Sequence, residues 1–408
     1  MIKKPKIIFF APILEYPPKG GPQLSVINAI KVLNKVSRLH IVTSVNKKSH
    51  DNIAKQFIKE HSAMCLHTPS SKFFTKKLLS LKHASKLKRL LNPLTGIIDS
   101  VYISKFAKNN GIKYFWIDRV IEHAFFVFIS LRFLNKHHKI VGDTETVYSD
   151  FILRELPFIK NPLRYFYIFI RGHFAKMQES IMLKKADVVT AVSELDKKHY
   201  FELVNNKSKI MLFSNVVDIN EYSQEVELGE GMQMPYLILM GSFGHQNSPM
   251  DRAAKWLVSD IMPLVWSKIP NINICIVGRN SELTQSSLAS DRVRVLGNVP
   301  YIFPYLKNAS ISLVPLIYES GTRFKIIESG AASIPCISTS LGAEGLNIED
   351  GKNIIIADST IDFASAIVKV MNDPVLANKL ASELHILIKD EYSLNKQTQE
   401  GKDIIRFF

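Results

Sequence analysis

Short apolar runs recur along the whole chain, separated by stretches in which apolar residues return every three or four positions. Runs of this kind read as strands of a parallel sheet covered on both faces, and the stretches between them as crossover helices. In the first half the runs are 6–11, 39–43, 114–117, 139–142, 188–191 and 210–213. The second half restarts the rhythm with 236–240, 272–277, 293–296, 311–315, 336–339 and 354–356. A helix is expected over 250–266, and an Asp373 cap with Pro374 in the first turn opens another, interrupted at 390–393. Between the halves, residues 221–233 are polar and acidic, carry Gly229 and Gly231, and read as a linker. The fold class predicted is α/β: two Rossmann-like, doubly wound domains facing across a cleft.

Length agrees, since 408 residues at roughly 150 per domain make two domains or three. With 46% hydrophobic and 22% charged residues, a disordered or fibrous chain is excluded. Cys65, Cys275 and Cys336 are too far apart for a disulfide framework or a zinc site, so a reducing compartment is expected. The opening apolar run stops at Pro12, short of a signal-peptide core, and no charge-free stretch of about 18 residues occurs. A cytoplasmic protein is therefore expected. Lys and Arg number 52 against 37 Asp and Glu, a formal charge of +15, so something anionic should be the partner: phosphate, acidic lipid or nucleic acid.

Part of that charge is local. Residues 71–90 hold Lys72, Lys76, Lys77, Lys82, Lys86, Lys88 and Arg89 with no acid, interleaved with Phe73, Phe74, Leu78 and Leu79. Such mixing suits an anionic membrane surface, the alternative being a helix packed on the core with solvated lysines. The aromatic run at 165–169 reads as core or interface rather than as a lipid anchor.

Candidate chemistry gathers at strand ends, where loops lead into helix N-termini. After the first strand come Gly20 and Gly21, then Pro22 in the first turn of a helix. There, backbone N–H groups can approach a ligand closely; an ordinary glycine turn is the alternative, and G-x-G-x-x-G is absent. Gly241, Ser242, His245 and Asn247 leave the first strand of the second half in the same way. The third loop runs through Gly321, Thr322, Arg323, Lys325 and Glu328. Arg323 suits a pyrophosphate through its planar fork and Lys325 through its point charge. Glu328 lies one helical turn beyond Lys325 and suits a ribose diol; a solvated Lys–Glu pair is the alternative. No Asp-x-Asp pair occurs, so no metal-clamped diphosphate, and no other cofactor, is expected. On the opposite side, Asp143 and Glu145 follow one strand end, and Asp118 and His123 another. They are the candidates for holding an acceptor hydroxyl; a capped βα turn and, for His123, a satisfied structural histidine are the alternatives.

The stretch from Gly321 to Glu328, with Pro335 and the Gly342–Leu346 segment, resembles the donor motif of retaining GT-B glycosyltransferases, glycosyltransferase family 4. Other pieces follow in the family's order: Gly20-Gly21, Asp187 with Ser193-Glu194, the crossover Ser214–Asp218, Gly241-Ser242 with Asn247, Gly278-Arg279, and Gly297–Pro300. The resemblance is diffuse over about the first 200 residues and specific from Asn215 to Leu346. It implies a donor site at those glycines with Arg279, and a nucleotide base against the backbone near Val299. The reaction implied is metal-independent transfer of a sugar, with retention, from a nucleotide-diphosphate sugar (UDP or GDP) to a glycan or lipid-linked acceptor. Bacterial surface polysaccharide synthesis, in lipopolysaccharide, O-antigen or capsule, is the setting implied, at the inner face of the cell membrane.

Three departures stand out, one being that the Arg and Lys many members carry after the Gly241 loop are missing, leaving His245 and Arg252 and passing the phosphate charge to Arg323 and Lys325. The family's first glutamate is replaced by Ser320, with Glu319 out of register, and its Pro-Asn-Gly crossover by Ser214-Asn215-Val216. The resemblance divides the chain into an acceptor-side domain (1–215), a nucleotide-sugar domain (216–385) and a helix (386–408) that packs back on the first domain. The rival readings are a basic nucleic-acid- or membrane-binding protein without catalysis, a GT-B sugar-nucleotide epimerase or hydrolase, and an inactive GT-B subunit. The nucleic-acid rival predicts a binding module or aromatic platform that the sequence lacks.

Overall fold

The computed structural model describes residues 4–72, 84–204, 209–228, 231–244, 246–318 and 323–407. The chain forms two compact units, the first taking 4–215 and 397–407 and the second the rest. In the first unit the early elements are β1 (Lys6–Ala11), α1 (Gly21–Val36), β2 (Arg38–Thr43), α2 (Asn52–His61), β3 (Met64–His67) and α3 (Ala84–Asn110). There follow β4 (Tyr114–Ile117), α4 (Glu122–Leu134), β5 (Lys139–Gly142), α5 (Tyr148–Leu153), α6 (Pro162–Lys185), β6 (Val188–Ala191), α7 (Glu194–Val204) and β7 (Ile210–Leu212).

The sheet order is β3-β2-β1-β4-β5-β6-β7, with every described pairing parallel. In β1 every residue from Ile7 to Ala11 is buried, because helices cover both faces of a parallel sheet and remove any alternation. The chain winds outward from β1 to β3, then returns to β4 on the other side of β1. The loops after β1 and β4 therefore part at the switch point, where ligands bind in such sheets. The edge strand β3 lies outside the expected set. Its Met64 is exposed and its other residues half-buried, so Met-Cys-Leu-His carries no apolar run.

The second unit contains β8 (Tyr236–Met240), α8 (Pro249–Trp256), α9 (Met262–Trp266), β9 (Asn273–Val277), β10 (Val293–Gly297), α10 (Phe303–Lys307) and β11 (Ile311–Val314). After them come α11 (Phe324–Ala331), β12 (Cys336–Ser338), β13 (Ile355–Ile356), α12 (Thr360–Asn372), α13 (Pro374–Glu391) and α14 (Leu394–Arg406). The order β10-β9-β8-β11-β12-β13 puts this sheet's switch point between β8 and β11. The helix expected over 250–266 is continuous but passes through a π turn at Leu257–Ile261, where the Met262 N–H bonds to the Leu257 carbonyl. Pro263 explains the turn. It donates nothing, and its ring would strike the carbonyl four residues earlier in a regular helix.

Two expectations need correcting. Residues 221–233 are not linker throughout: Ile219–Tyr222 forms a 3₁₀ turn, and Tyr222 is buried edge-on against Phe303, ring centroids 5.5 Å apart. The boundary at 385/386 falls inside α13, which the Asp373 side chain caps at the Leu376 N–H, 2.9 Å. The break comes at 392–393, and from Gln397 α14 belongs to the first unit. There Gln397 donates to the Ser214 carbonyl at 2.7 Å, and Glu400 accepts from the Ser214 N–H (2.7 Å) and hydroxyl (2.9 Å). All three cysteines are free. Among the described residues, no helix is long and apolar enough to cross a membrane.

Candidate functional site

In the second unit three glycines stand at neighbouring strand ends: Gly241 after β8, Gly278 after β9 and Gly297 closing β10. Gly278 N–H donates to the Gly297 carbonyl at 2.9 Å, and Gly241 N–H to the Val277 carbonyl at 3.1 Å. A methyl group on Gly278 would collide with the Gly241 carbonyl oxygen, and its φ of 133° is one that side chains rarely adopt. The strand ends therefore present bare backbone.

Lys325, in the first turn of α11, reaches this row. A Cβ on Gly241 would lie 3.0 Å from Lys325 Cε. The Gly241 loop and the Lys325 helix start are remote in sequence and are brought together by the β8/β11 switch point. Around them Ser242 and Arg279 are exposed, and Val299 is half-buried just beyond Gly297. Phe243 N–H bonds to the Arg279 carbonyl at 2.8 Å, tying the two loops. Asn247 has φ 62°; its N–H bonds to Asp251 at 2.5 Å and its carbonyl accepts from the Tyr318 hydroxyl. His245, Gly321 and Thr322 lie outside the described residues, as do Glu319 and Ser320.

Arg323 and Glu328 have partners that the sequence did not reveal. The Arg323 guanidinium is buried and bonds to Glu344 twice, Nε to its carbonyl at 2.9 Å and Nη2 to its carboxylate at 3.0 Å. Its fork thus braces α11 against the loop after β12. Glu344 lies in the Gly342–Leu346 segment, where its sequence context shows no partner. Glu328 accepts from the Tyr222 hydroxyl at 2.8 Å. Burial pushes its carboxyl up to about 7, while the Tyr222 bond and the Lys325 charge pull the other way.

In the first unit the switch point gathers the other candidates. Arg119, next after Asp118 beyond β4, bonds to Glu145 and to the Pro22 carbonyl (2.5 Å), joining the Gly20-Gly21 turn to the 143–145 loop. Asp143 accepts from Trp116 Nε1 at 2.7 Å and from the Thr190 hydroxyl. Asp118, Asp143 and Glu145 thus crowd one guanidinium. Burial raises all three: Glu145 to about 7, Asp143 to about 6, and Asp118 well above the usual carboxylate range. Arg119 and Glu122 have φ of 50° and 48°, conformations uncommon outside glycine and concentrated at functional loops. His123 belongs to a separate network. Its Nε2 lies 3.3 Å from Asp99, which accepts from Thr68 (2.7 Å) and from the Ser70 N–H (3.0 Å). Sequence reading missed Arg119, because a lone arginine after a strand carries no signal of its own. Among the described residues, no group of three potential ligands is placed to hold a metal ion.

Residues 235–373 match the family model of glycosyl transferases group 1. No curated protein matches the sequence. By structure the chain is similar to a glycosyltransferase from Rickettsia africae, at 18% identity over 99% of this chain and 98% of that one, TM-score 0.67. It is similar also to Anabaena HepE solved with UDP and glucose (14% identity, 99% and 100% covered, TM-score 0.65). Sucrose-phosphate synthase from Thermosynechococcus elongatus stands alongside (14%, 99% and 98%, TM-score 0.69). The architecture of two parallel-sheet, Rossmann-like units is the one these GT-B glycosyltransferase structures share.

Proposed function

We propose that this chain transfers a sugar from a nucleotide-diphosphate sugar to a glycan or lipid-linked acceptor, with retention and without a metal ion, in bacterial surface polysaccharide synthesis. The observation that carries the reading is Lys325 against the Gly241–Gly278–Gly297 backbone row, within the segment that matches the group 1 family. HepE, of the same fold, was solved with UDP and glucose.

In the reaction, the bond from the sugar's anomeric carbon to the diphosphate breaks and its electron pair stays on the phosphate oxygen. The acceptor oxygen bonds to that carbon on the face the diphosphate leaves, and the acceptor proton passes to the departing diphosphate oxygen. Negative charge grows on the leaving diphosphate, so a cation held at its oxygens in advance lowers the barrier most. Lys325 is assigned that role, with bare glycine backbone admitting the phosphates closely. Arg323 positions α11 through Glu344 and adds positive potential. Glu328, when ionised, accepts from the ribose hydroxyls. Ser242, Asn247, Arg279 and Val299 frame the nucleotide. Asp143 and Glu145 are assigned to the acceptor side, with Arg119 setting the charge on Glu145, while His123, held on Asp99 in its own network, is given no part in it. A cytoplasmic enzyme at the inner membrane face suits a lipid-linked acceptor.

The test is a thermal-shift series with UDP, GDP, ADP, CMP and TDP. One nucleotide raises the melting temperature of the wild type and not that of Glu328→Ala, since ligand binding to the folded state stabilises it. Lys325→Ala lowers turnover by about 10²–10³ with an unchanged melting temperature. No shift with any nucleotide, or near-normal turnover in Lys325→Ala, overturns the assignment.

A further inference from the structure

The first half of α6 carries its bulk outward. Its inner stripe is Ile168, Gly172, Ala175, Glu179 and Met182, all buried. Its outer stripe is Leu163, Tyr167, Ile170, Phe174 and Met177, alternately four and three residues apart and all exposed. Leu163 is 82% exposed and Phe166, beside the stripe, 63%. Of the two readings of residues 165–169, core or interface, the exposure of four of the five removes the first. Five consecutive residues circle a helix, and of these only Ile168 faces in. The same pattern recurs on α3, where Leu90, Leu94, Ile97 and Val101 are exposed at the same spacing. Helix α4 packs against both α3 and α6 and adds exposed Phe133 and Leu134. The stripes therefore belong to one helical layer. Exposed apolar surface gathered in this way marks a docking face.

Charge says what docks. The only acids in α3 and α6 are Asp99 and Glu179, both buried, Asp99 on Thr68 and Ser70 and Glu179 on Ser149. The exposed charges of the two helices are therefore basic: Lys105, Lys108, Lys176, Lys184 and Lys185, with Arg164 paired to Glu155. A second copy related by a two-fold axis would set lysines against lysines. An anionic bilayer meets both requirements at once, taking the aromatic and aliphatic stripes at the headgroup boundary and the lysines at the phosphates.

We propose that the α3–α4–α6 layer seats the protein on an anionic lipid surface through the Leu163–Met177 stripe. The acid-free segment 71–90, whose residues 73–83 lie outside the described ones, runs in sequence straight into the α3 stripe. This docking needs no nucleotide and goes beyond the transfer reading.

The experiment is flotation of the full chain with vesicles of phosphatidylcholine alone and of phosphatidylcholine mixed with phosphatidylglycerol. The wild type floats with the mixed vesicles only. The double variant Phe166→Ser/Ile170→Ser and the single variant Lys185→Glu each lose about tenfold in partitioning, through apolar contact and charge respectively. Both keep the wild-type melting temperature, which shows that they are folded. Three outcomes overturn the proposal: no flotation, equal flotation with neutral vesicles, or variants that float as well as the wild type. A wild-type dimer that Phe166→Ser/Ile170→Ser splits assigns the face to a second copy and overturns it too. A retained nucleotide shift without flotation removes this proposal and leaves the transfer reading standing.

Discussion

The Tyr222 hydroxyl donates to Glu328 at 2.8 Å and opposes the burial that lifts this carboxyl to about 7. Near neutrality the group therefore sits on its titration midpoint, and a ribose diol is accepted by the ionised form. Nucleotide affinity should rise with pH to a plateau, with its midpoint near 7. Removing the donor in Tyr222→Phe moves that midpoint up by about one pH unit, the worth of one hydrogen bond to a charged group. Calorimetric titration of the binding nucleotide across the pH range reads this directly, and an unmoved midpoint would mean that Tyr222 does not govern the carboxyl. Lys325 and Glu328 were legible in the sequence because their spacing places both on one helical face after a strand end. The partners of Glu328 and Arg323 were not. Tyr222 stands alone among polar residues, and Glu344 lies 21 positions from the arginine it holds. A single sequence carries no sign of either pairing.

At the scale of elements, two helix glycines look alike in sequence and differ in what they allow. A Cβ on Gly96 of α3 would meet Phe126 Cβ at 2.5 Å and Phe126 backbone carbon at 3.1 Å, atoms that cannot move without shifting α4. One on Gly172 of α6 would meet Leu153 Cδ2 and, at 2.6 Å, the branch carbon Cγ, atoms of one side chain that can turn aside. Helix propensity favours alanine over glycine by about 1 kcal/mol at both sites. At Gly96 the overpacking of about 1–3 kcal/mol wins, so Gly96→Ala is destabilising. Gly172→Ala is close to neutral. Denaturant unfolding of the two variants checks the contrast, and equal effects would refute it. Strands were the most legible elements, since burial on both sides of a parallel sheet leaves runs such as Ile-Ile-Phe-Phe that nothing else requires. The edge strand β3 escaped for the complementary reason. In the helix layer the aromatic run reads as core or interface, and only the core half fails, because α6 fills its inner face with Gly172 and Ala175 and leaves the rings outside.

Across the whole molecule, buried carboxyls tie stability to pH. Asp143 is raised to about 6, and Glu145, Glu179 and Glu328 to about 7. Each holds its proton in the folded chain at a pH where the unfolded chain has released it. Their joint contribution therefore falls as pH rises from about 4.5 through 7. His40, His50 and His138, held below their ordinary values chiefly by burial, act in the opposite direction as pH drops. The difference between two proteins isolates one group. Relative to wild type, Glu179→Gln gains stability as pH climbs from 5 to 8, by up to about 3 kcal/mol. Paired melting curves across that range test it, and a constant difference would show that Glu179 does not titrate there. The two-unit architecture was legible from the repeated strand rhythm. The return of the last helix to the first unit came only from family likeness, because no local pattern points 186 residues back from Glu400 to Ser214. That return sets an order of events during synthesis. Gly401 lies against Val32, Leu33 and Phe213, so the first unit stays incomplete until the ribosome has made the whole second unit. At 5–20 residues per second the delay is roughly 10–40 s. For that time the nascent chain carries an open apolar seam, which a chaperone must shield or a neighbouring chain on the same message will find.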